Sequence, residues 1–533
     1  MADLVLRDGV IWTGVAGAGV AQAVAVRAGR IAAVGSNADI DALVGSATEL
    51  ISLNGRVVTP GFIDAHTHFI AGGFQLSSVD LRDANSPEEF ARRIAAFAQT
   101  VAPGTWITGG DWDHEMWGGE LPTREWIDSV TAENPVFVQR LDGHMALGNS
   151  LALAAAGVTA ATMDPPGGAV ARTEAGEPAG VLKDEAMNLV YAVIPASSED
   201  ELDRALAAAA AHALSLGVTQ IHDMAYSWTN LETYQRGHAA DRLPLRIYSV
   251  VPMATWQRMR DYVKEHGRGD DRLWWGGLKA FVDGSLGSTT AWFHTPYDDE
   301  PETAGLMTTD TTELRSWIEA GDAAGLHVIV HAIGDRANDW LLDVFDGAAR
   351  ANGDRDRRFR IEHAQHLSVG AIDRFARQGV IASMQPFHAA DDGRWAEKRI
   401  GAERIKTTYA FRSLLDAGAT LAFGSDWTVA PLDPMRGIDA AVTRRTLDGA
   451  NPDGWMPQER ISLEETLTAY TSGAARAGFM DDRVGTVEVG KLADLVVLSG
   501  NVFDMDVEEL GSAHVDVTLV EGEVVYRRPV GGE

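Results

Sequence analysis

The chain reads as an α/β protein: a TIM-type (β/α)8 barrel with a small composite β-sandwich from both termini and a large insertion after the first barrel strand. Three observations predict this. Eight short apolar stretches between Val58 and Ser425 are mostly separated by helical stretches. Strand-like segments crowd both ends, divided by turn residues. About 150 residues part the first apolar stretch from the second, too many for a structureless loop.

At the N-terminus, Asp3–Leu6, Gly9–Trp12, Ala23–Arg27 and Arg30–Val34 are rich in Val, Ile, Leu and Ala, with turns at Arg7-Asp8-Gly9 and Arg27-Ala28-Gly29. At the other end, Val484–Val487, Leu495–Leu498, Val515–Val520 and Glu523–Tyr526 look the same. Neither end alone has enough residues for a stable core, so residues 1–58 and 480–533 are expected to pair into one discontinuous domain. Residues 59–479 are the expected barrel, with an inserted subdomain at about 75–210 covering its mouth. Helix starts are marked by Ser86-Pro87-Glu88-Glu89, Ser198 to Glu201 and Ser462 to Glu465, each with a capping-box spacing. The expected barrel strands are Val58–Ala65, Val218–Asp223, Arg246–Val251, Gly277–Val282, His327–Ala332, Arg360–His363, Ile381–Gln385 and Thr420–Ser425.

Composition narrows the function. The 533 residues are 45% hydrophobic and 23% charged, ordinary for a soluble globular protein. The absence of Cys excludes thiolate catalysis, Cys-ligated zinc and iron–sulfur clusters. A net charge of −31 argues against nucleic acid as a partner. No apolar run reaches membrane-spanning length, and the N-terminal run shows no basic segment followed by an apolar one, so no signal peptide is expected. The expectation is a cytoplasmic protein acting on a small molecule, as a homodimer.

The most informative run is Pro60-Gly61-Phe62-Ile63-Asp64-Ala65-His66-Thr67-His68. Two His at i and i+2 on a strand share a face, so both imidazoles can reach one metal ion. The run resembles the first-strand metal motif of the amidohydrolase superfamily. The flanking β-rich ends are similar to that superfamily's small sandwich. The long first insertion resembles the amidohydrolase family 3 branch, which includes N-substituted formamide deformylases. The resemblance covers essentially the whole chain.

Further strand ends match the family pattern. Lys279 lies in the apolar run Leu278-Lys279-Ala280-Phe281, where a lone buried ammonium is costly. It could pair with Asp283 or a substrate carboxylate, snorkel to the surface, or be carbamylated. The resemblance implies carbamylation, with Lys279 bridging two ions; an unmodified Lys279 implies one ion. His331 and His363 close strands of their own, and the resemblance assigns them to the second ion. His327, four residues before His331, is expected deeper and structural. Asp426, after Leu421-Ala422-Phe423-Gly424-Ser425, is implied to contact the first ion and act as the catalytic proton carrier. The metal set is therefore His66, His68, Lys279, His331, His363 and Asp426, holding a divalent metal, with zinc the expected one.

Residues expected to contact substrate are His144 in Asp142-Gly143-His144, Trp112, Gln385 and His388 in Met384-Gln385-Pro386-Phe387-His388, and Trp427. The implied activity is hydrolysis of an amide-type C–N bond other than a peptide bond, by a metal-activated hydroxide, in an N-substituted formamide, N-acyl amine or cyclic amide. Alternatives are a mononuclear deaminase or a lactonase on the same fold, and a non-enzymatic binding protein, against which the intact ligand set argues.

Overall fold

One apolar run serves two sheets. Val57–Pro60 pairs with strands near both termini, while Phe62–Thr67 opens the barrel. Gly61 divides them. A β-carbon there would lie 2.1 Å from Thr219 Oγ1, so the close approach requires glycine. This corrects the expected single strand Val58–Ala65. The computed structural model describes residues 1–529 except 142, 144, 166 and 167, and not the side chain of Glu115.

The barrel strands are β1 (Phe62–Thr67), β2 (Val218–Met224), β3 (Arg246–Pro252), β4 (Leu273–Phe281), β5 (His327–Ala332), β6 (Arg360–His363), β7 (Ile381–Met384) and β8 (Thr420–Phe423). Each lies parallel to the next in chain order. Beyond β8 the ring joins β1 at its C-terminal rim. Asp426 N–H donates to the His66 carbonyl (2.8 Å) and His68 N–H to that of Trp427 (2.6 Å). These bonds bring the ends of the first and last strands together, where barrel enzymes place their chemistry.

The barrel holds buried polar side chains beside an apolar cluster that includes Met224, Tyr248, Val250, Ile329 and Ile381. Gln220, His222, Arg360, Glu362 and Ser383 are buried. Arg360 Nη1 lies 2.9 Å from His222 Nδ1, and its Nε donates to Glu362 Oε1 at 2.9 Å. His327 takes the deep position expected from its spacing: Tyr248 Oη lies 3.0 Å from its Nδ1, and its Nε2 lies 2.7 Å from the Arg358 carbonyl. Buried polar groups persist only when they are hydrogen-bonded.

Two compact units divide the chain: Met1–Phe69 with Ala209–Glu533, and Ile70–Ala208. In the first, a six-stranded sheet joins the chain ends, with Val58 opposite Val497 in antiparallel register. A four-stranded sheet from residues 4–52 accompanies it, and Leu4, Leu6, Val24, Val26, Val497 and Leu519 share an apolar core. At the start of β3, buried Arg246 makes a forked pair with Asp494 (2.6 and 2.9 Å). Val484–Val487 forms no strand, because Gly485 at φ 88° turns the chain there. Short strands at Val20–Ala21 and Glu49–Ser52 were not expected; the exposure of Val20, Glu49 and Leu50 explains their weak pattern.

The second unit is a six-stranded sheet, with the helix Pro87–Ala98 contributing Phe90 and Ile94 to its core. Ser86 Oγ accepts from Glu89 N–H at 3.2 Å, as its capping pattern predicts. The other two capping signals also hold: Ser198 with Glu201, and Ser462 with Glu465, exchange reciprocal bonds. No helix among the described residues is long and apolar enough to cross a membrane.

Candidate metal centre

His66 and His68 project from the end of β1 towards Asp426. The Nε2 atoms lie 3.5 and 3.3 Å from Asp426 Oδ1. All three residues are buried, and their candidate ligand atoms fall within 4.8 Å of one another. Asp426 reaches this position with φ 59°, a left-handed conformation that Asp tolerates better than most residues. Asp64 braces the pair from below by accepting the N–H groups of His66 and Ser425, each at 3.0 Å. Burial pushes the Asp64 carboxyl up to about 7.

His331 and His363 face each other across the mouth, with ring centroids 4.5 Å apart, and the His363 ring is 5.0 Å from that of His66. His363 has φ 72°. His388 joins the group: His363, His388 and Asp426 present candidate ligand atoms within 4.8 Å of one another. Lys279 is 4% exposed. Among the described residues its Nζ has no hydrogen-bond partner, and it lies 4.8 Å from the Phe281 ring centroid.

The alternative of a Lys279–Asp283 pair is not what the structure shows. Asp283 is occupied by the N–H groups of Trp292, Ile333 and Gly334 at 2.8–3.0 Å. Burial takes the Lys279 amine down to about 8, against the pull of Glu362 and Asp426.

A common rule governs the four imidazoles at the centre of this site. Each has one nitrogen committed to a protein acceptor. For His66 it is Nδ1, 2.5 Å from Glu362 Oε2. For His68 it is Nδ1, 2.9 Å from the Met224 carbonyl. For His331 it is Nε2, 3.0 Å from the Gly284 carbonyl. For His363 it is Nδ1, 2.8 Å from Gln385 Oε1. This fixes the tautomer and leaves the other nitrogen of each ring as a lone-pair donor, the arrangement expected around a metal ion. Burial, with Lys279 next, lowers His66 to about 4, and burial lowers His363 to about 3, so both rings are neutral at pH 7. Burial would raise Asp426, but His66, His68 and His363 outweigh it and hold it ionised. Its Oδ1 is buried without a hydrogen bond of ordinary geometry. The donors therefore fit a divalent cation. His66, His68 and Asp426 form one natural set, and His331, His363 and Lys279 lie beside it.

Three of the residues expected to contact substrate are buried in the structure. Gln385 is fully buried and orients His363. Trp112 is fully buried in the core of its own unit, its indole N–H donating to the Val138 carbonyl at 2.8 Å. Trp427 is 3% exposed and packs against Phe69 and His212. His144 lies outside the described residues.

Two contributors were missed. Glu362 is adjacent to the ligand His363, and its spacing of two from Arg360 was the available signal. Tyr226 stacks on His68, with centroids 4.6 Å apart and planes 5° off parallel, and its hydroxyl is 3.3 Å from His68 Nε2. No motif pointed to it.

Protein LONG AFTER FAR-RED 3 of Arabidopsis thaliana is 43% identical over 99% of this chain and 92% of its own length. An N-substituted formamide deformylase of Arthrobacter pascens is 29% identical over 99% of each. A solved structure of an uncharacterized metal-dependent hydrolase from Pyrococcus furiosus superposes with a TM-score of 0.74 at 30% identity, covering 93% of this chain and 98% of that one. The model of the amidohydrolase family matches residues 49–526, and with the eight-stranded parallel barrel and its histidine-rich rim this chain belongs to that family.

Proposed function

We propose that the protein hydrolyses an amide-type C–N bond in a small molecule, with N-substituted formamides, N-acyl amines and cyclic amides as the candidate classes. The observation that carries this reading is the convergence of oriented imidazoles on the buried Oδ1 of Asp426. Likeness to the formamide deformylase supports the choice of bond. His66, His68 and Asp426 would hold one divalent ion and His331, His363 and Lys279 a second, with zinc the expected metal. Ions so placed would supply Lewis acidity towards the carbonyl and the attacking water.

The chain's own residues then have definite tasks. Asp426 takes a proton from the attacking water and returns it to the departing nitrogen, so water and amide become a carboxylic acid and an amine. A carboxylate held ionised in the resting site can accept that proton. Lys279, poised near its neutral form, can react with carbon dioxide. The amine nitrogen bonds to carbon and releases a proton, giving a carbamate whose two oxygens suit two cations. That conversion would remove the repulsion that a buried ammonium would exert on cations held by the neighbouring histidines. His388 stands at the edge of the ligand group, where a substrate would arrive.

The test is release of amine from a panel of these three classes by the zinc-loaded protein, with elemental analysis alongside. Hydrolysis that is lost on chelation and restored by divalent metal is expected. Full activity in protein free of transition metal would refute the reading. One tightly bound ion with a plain amine at Lys279 would favour the mononuclear alternative.

A further inference from the structure

The four oriented imidazoles do not have equivalent partners. His68 and His331 donate to backbone carbonyls. His66 donates to a carboxylate and His363 to a neutral carboxamide. We propose that this difference makes the two ion positions unequal. Glu362 makes the position at His66, His68 and Asp426 a tight one, and Gln385 leaves the position at His363 weak and exchangeable. The inference rests on the two-ion reading given above.

The case for Glu362 is geometric. Its Oε2 lies 2.5 Å from His66 Nδ1, with both side chains essentially inaccessible to water. A charge-assisted bond of that length, unscreened by solvent, pushes electron density through the ring to Nε2 and strengthens it as a donor. Glu362 cannot turn away. Arg360 Nε and Nη2 grip its two oxygens at 2.9 and 3.1 Å, and Ser383 Oγ donates to Oε2 at 2.8 Å. Arg360 is in turn fixed by the Ala65 carbonyl, 2.6 Å away on the strand that carries His66. The carboxylate, the imidazole and the backbone behind them therefore form one rigid unit.

Gln385 offers less. Its Oε1 accepts from His363 Nδ1 at 2.8 Å, but among the described residues its own Nε2 is buried without a partner. The amide carries no charge.

A purely structural role for Glu362, neutralising Arg360, would alter folding stability without separating two binding steps. The deciding measurement is therefore a zinc titration of the full-length, chelator-stripped protein at fixed bicarbonate, against a competing chromophoric chelator. Two steps at least about tenfold apart are expected. Glu362→Gln should weaken the tight step about 10- to 100-fold and leave the weak step in place. Gln385→Glu should tighten the weak step by a similar factor and narrow the gap. The second variant keeps the test alive if loss of Glu362 prevents folding. Two steps of equal affinity in the wild type would overturn the inference, as would a folded Gln385→Glu protein with an unchanged weak step. Absence of zinc binding, or a single equivalent, would instead overturn the two-ion reading beneath it.

Discussion

Glu362 and His363 are neighbours in sequence, yet both reach His66: the carboxylate bonds its Nδ1, and the imidazole lies 5.0 Å from its ring. In a regular strand adjacent side chains point to opposite faces. The left-handed backbone of His363, φ 72°, brings its side chain round to the face that Glu362 already occupies. Asp426, φ 59°, does the same at the end of the last strand.

That backbone sets a cost that depends on the residue. Asn occupies left-handed conformations readily and β-branched residues do not. In metal-free protein, His363→Val should therefore be less stable than His363→Asn by about 1–3 kcal/mol, read from urea denaturation. Equal midpoints and slopes for the two variants would show that the strain is absent.

Asp426 combines a structural and a chemical duty, and the two should separate. Its backbone N–H closes the ring on His66 whatever the side chain. Asp426→Asn keeps the shape but cannot take a proton. It should lower kcat by about 10²- to 10⁴-fold while elemental analysis still finds metal. Wild-type kcat in a metal-replete variant would remove Asp426 from the mechanism.

Asp392 should give stability a pH dependence of its own. Burial, and then the neighbouring Asp391, push its carboxyl up to about 7 from 3.8. Tyr409 Oη and Gln365 Nε2 donate to its Oδ2 at 2.6 and 2.7 Å. With the folded value raised, the native state holds this proton more firmly than the unfolded chain. Its contribution is fully present below about pH 4 and is lost as pH rises towards 7. Asp392→Asn, which keeps the acceptor oxygen, should flatten that fall and be more stable than wild type at pH 8. Parallel stability curves from pH 4 to 8 would contradict this.

Much of the barrel was legible because parallel strands buried on both faces leave compact apolar runs. The bounds of His327–Ala332 and Arg360–His363 matched to the residue. The His-x-His pair was legible because strand alternation alone puts both rings on one face. Burial was not. Gln385, Trp112 and Trp427 were read as substrate contacts because polar and aromatic residues at strand ends and in loops suit that role equally well. Their burial is set by neighbours distant in sequence, which no local pattern names.

The amino-acid sequence by itself determined the alternation of strands and helices and the types of residue at the barrel rim, which follow from local periodicity and short motifs, and those motifs carried the resemblance to the family. Only the tertiary structure decided how those residues act together. The pairing of Glu362 with His66 spans 296 positions, and the convergence of His363 and Asp426 depends on backbone dihedrals that no periodicity encodes. Local pattern fixes which face a side chain favours within one element. The ring of eight strands fixes which faces meet, and therefore which imidazole receives a carboxylate and which an amide.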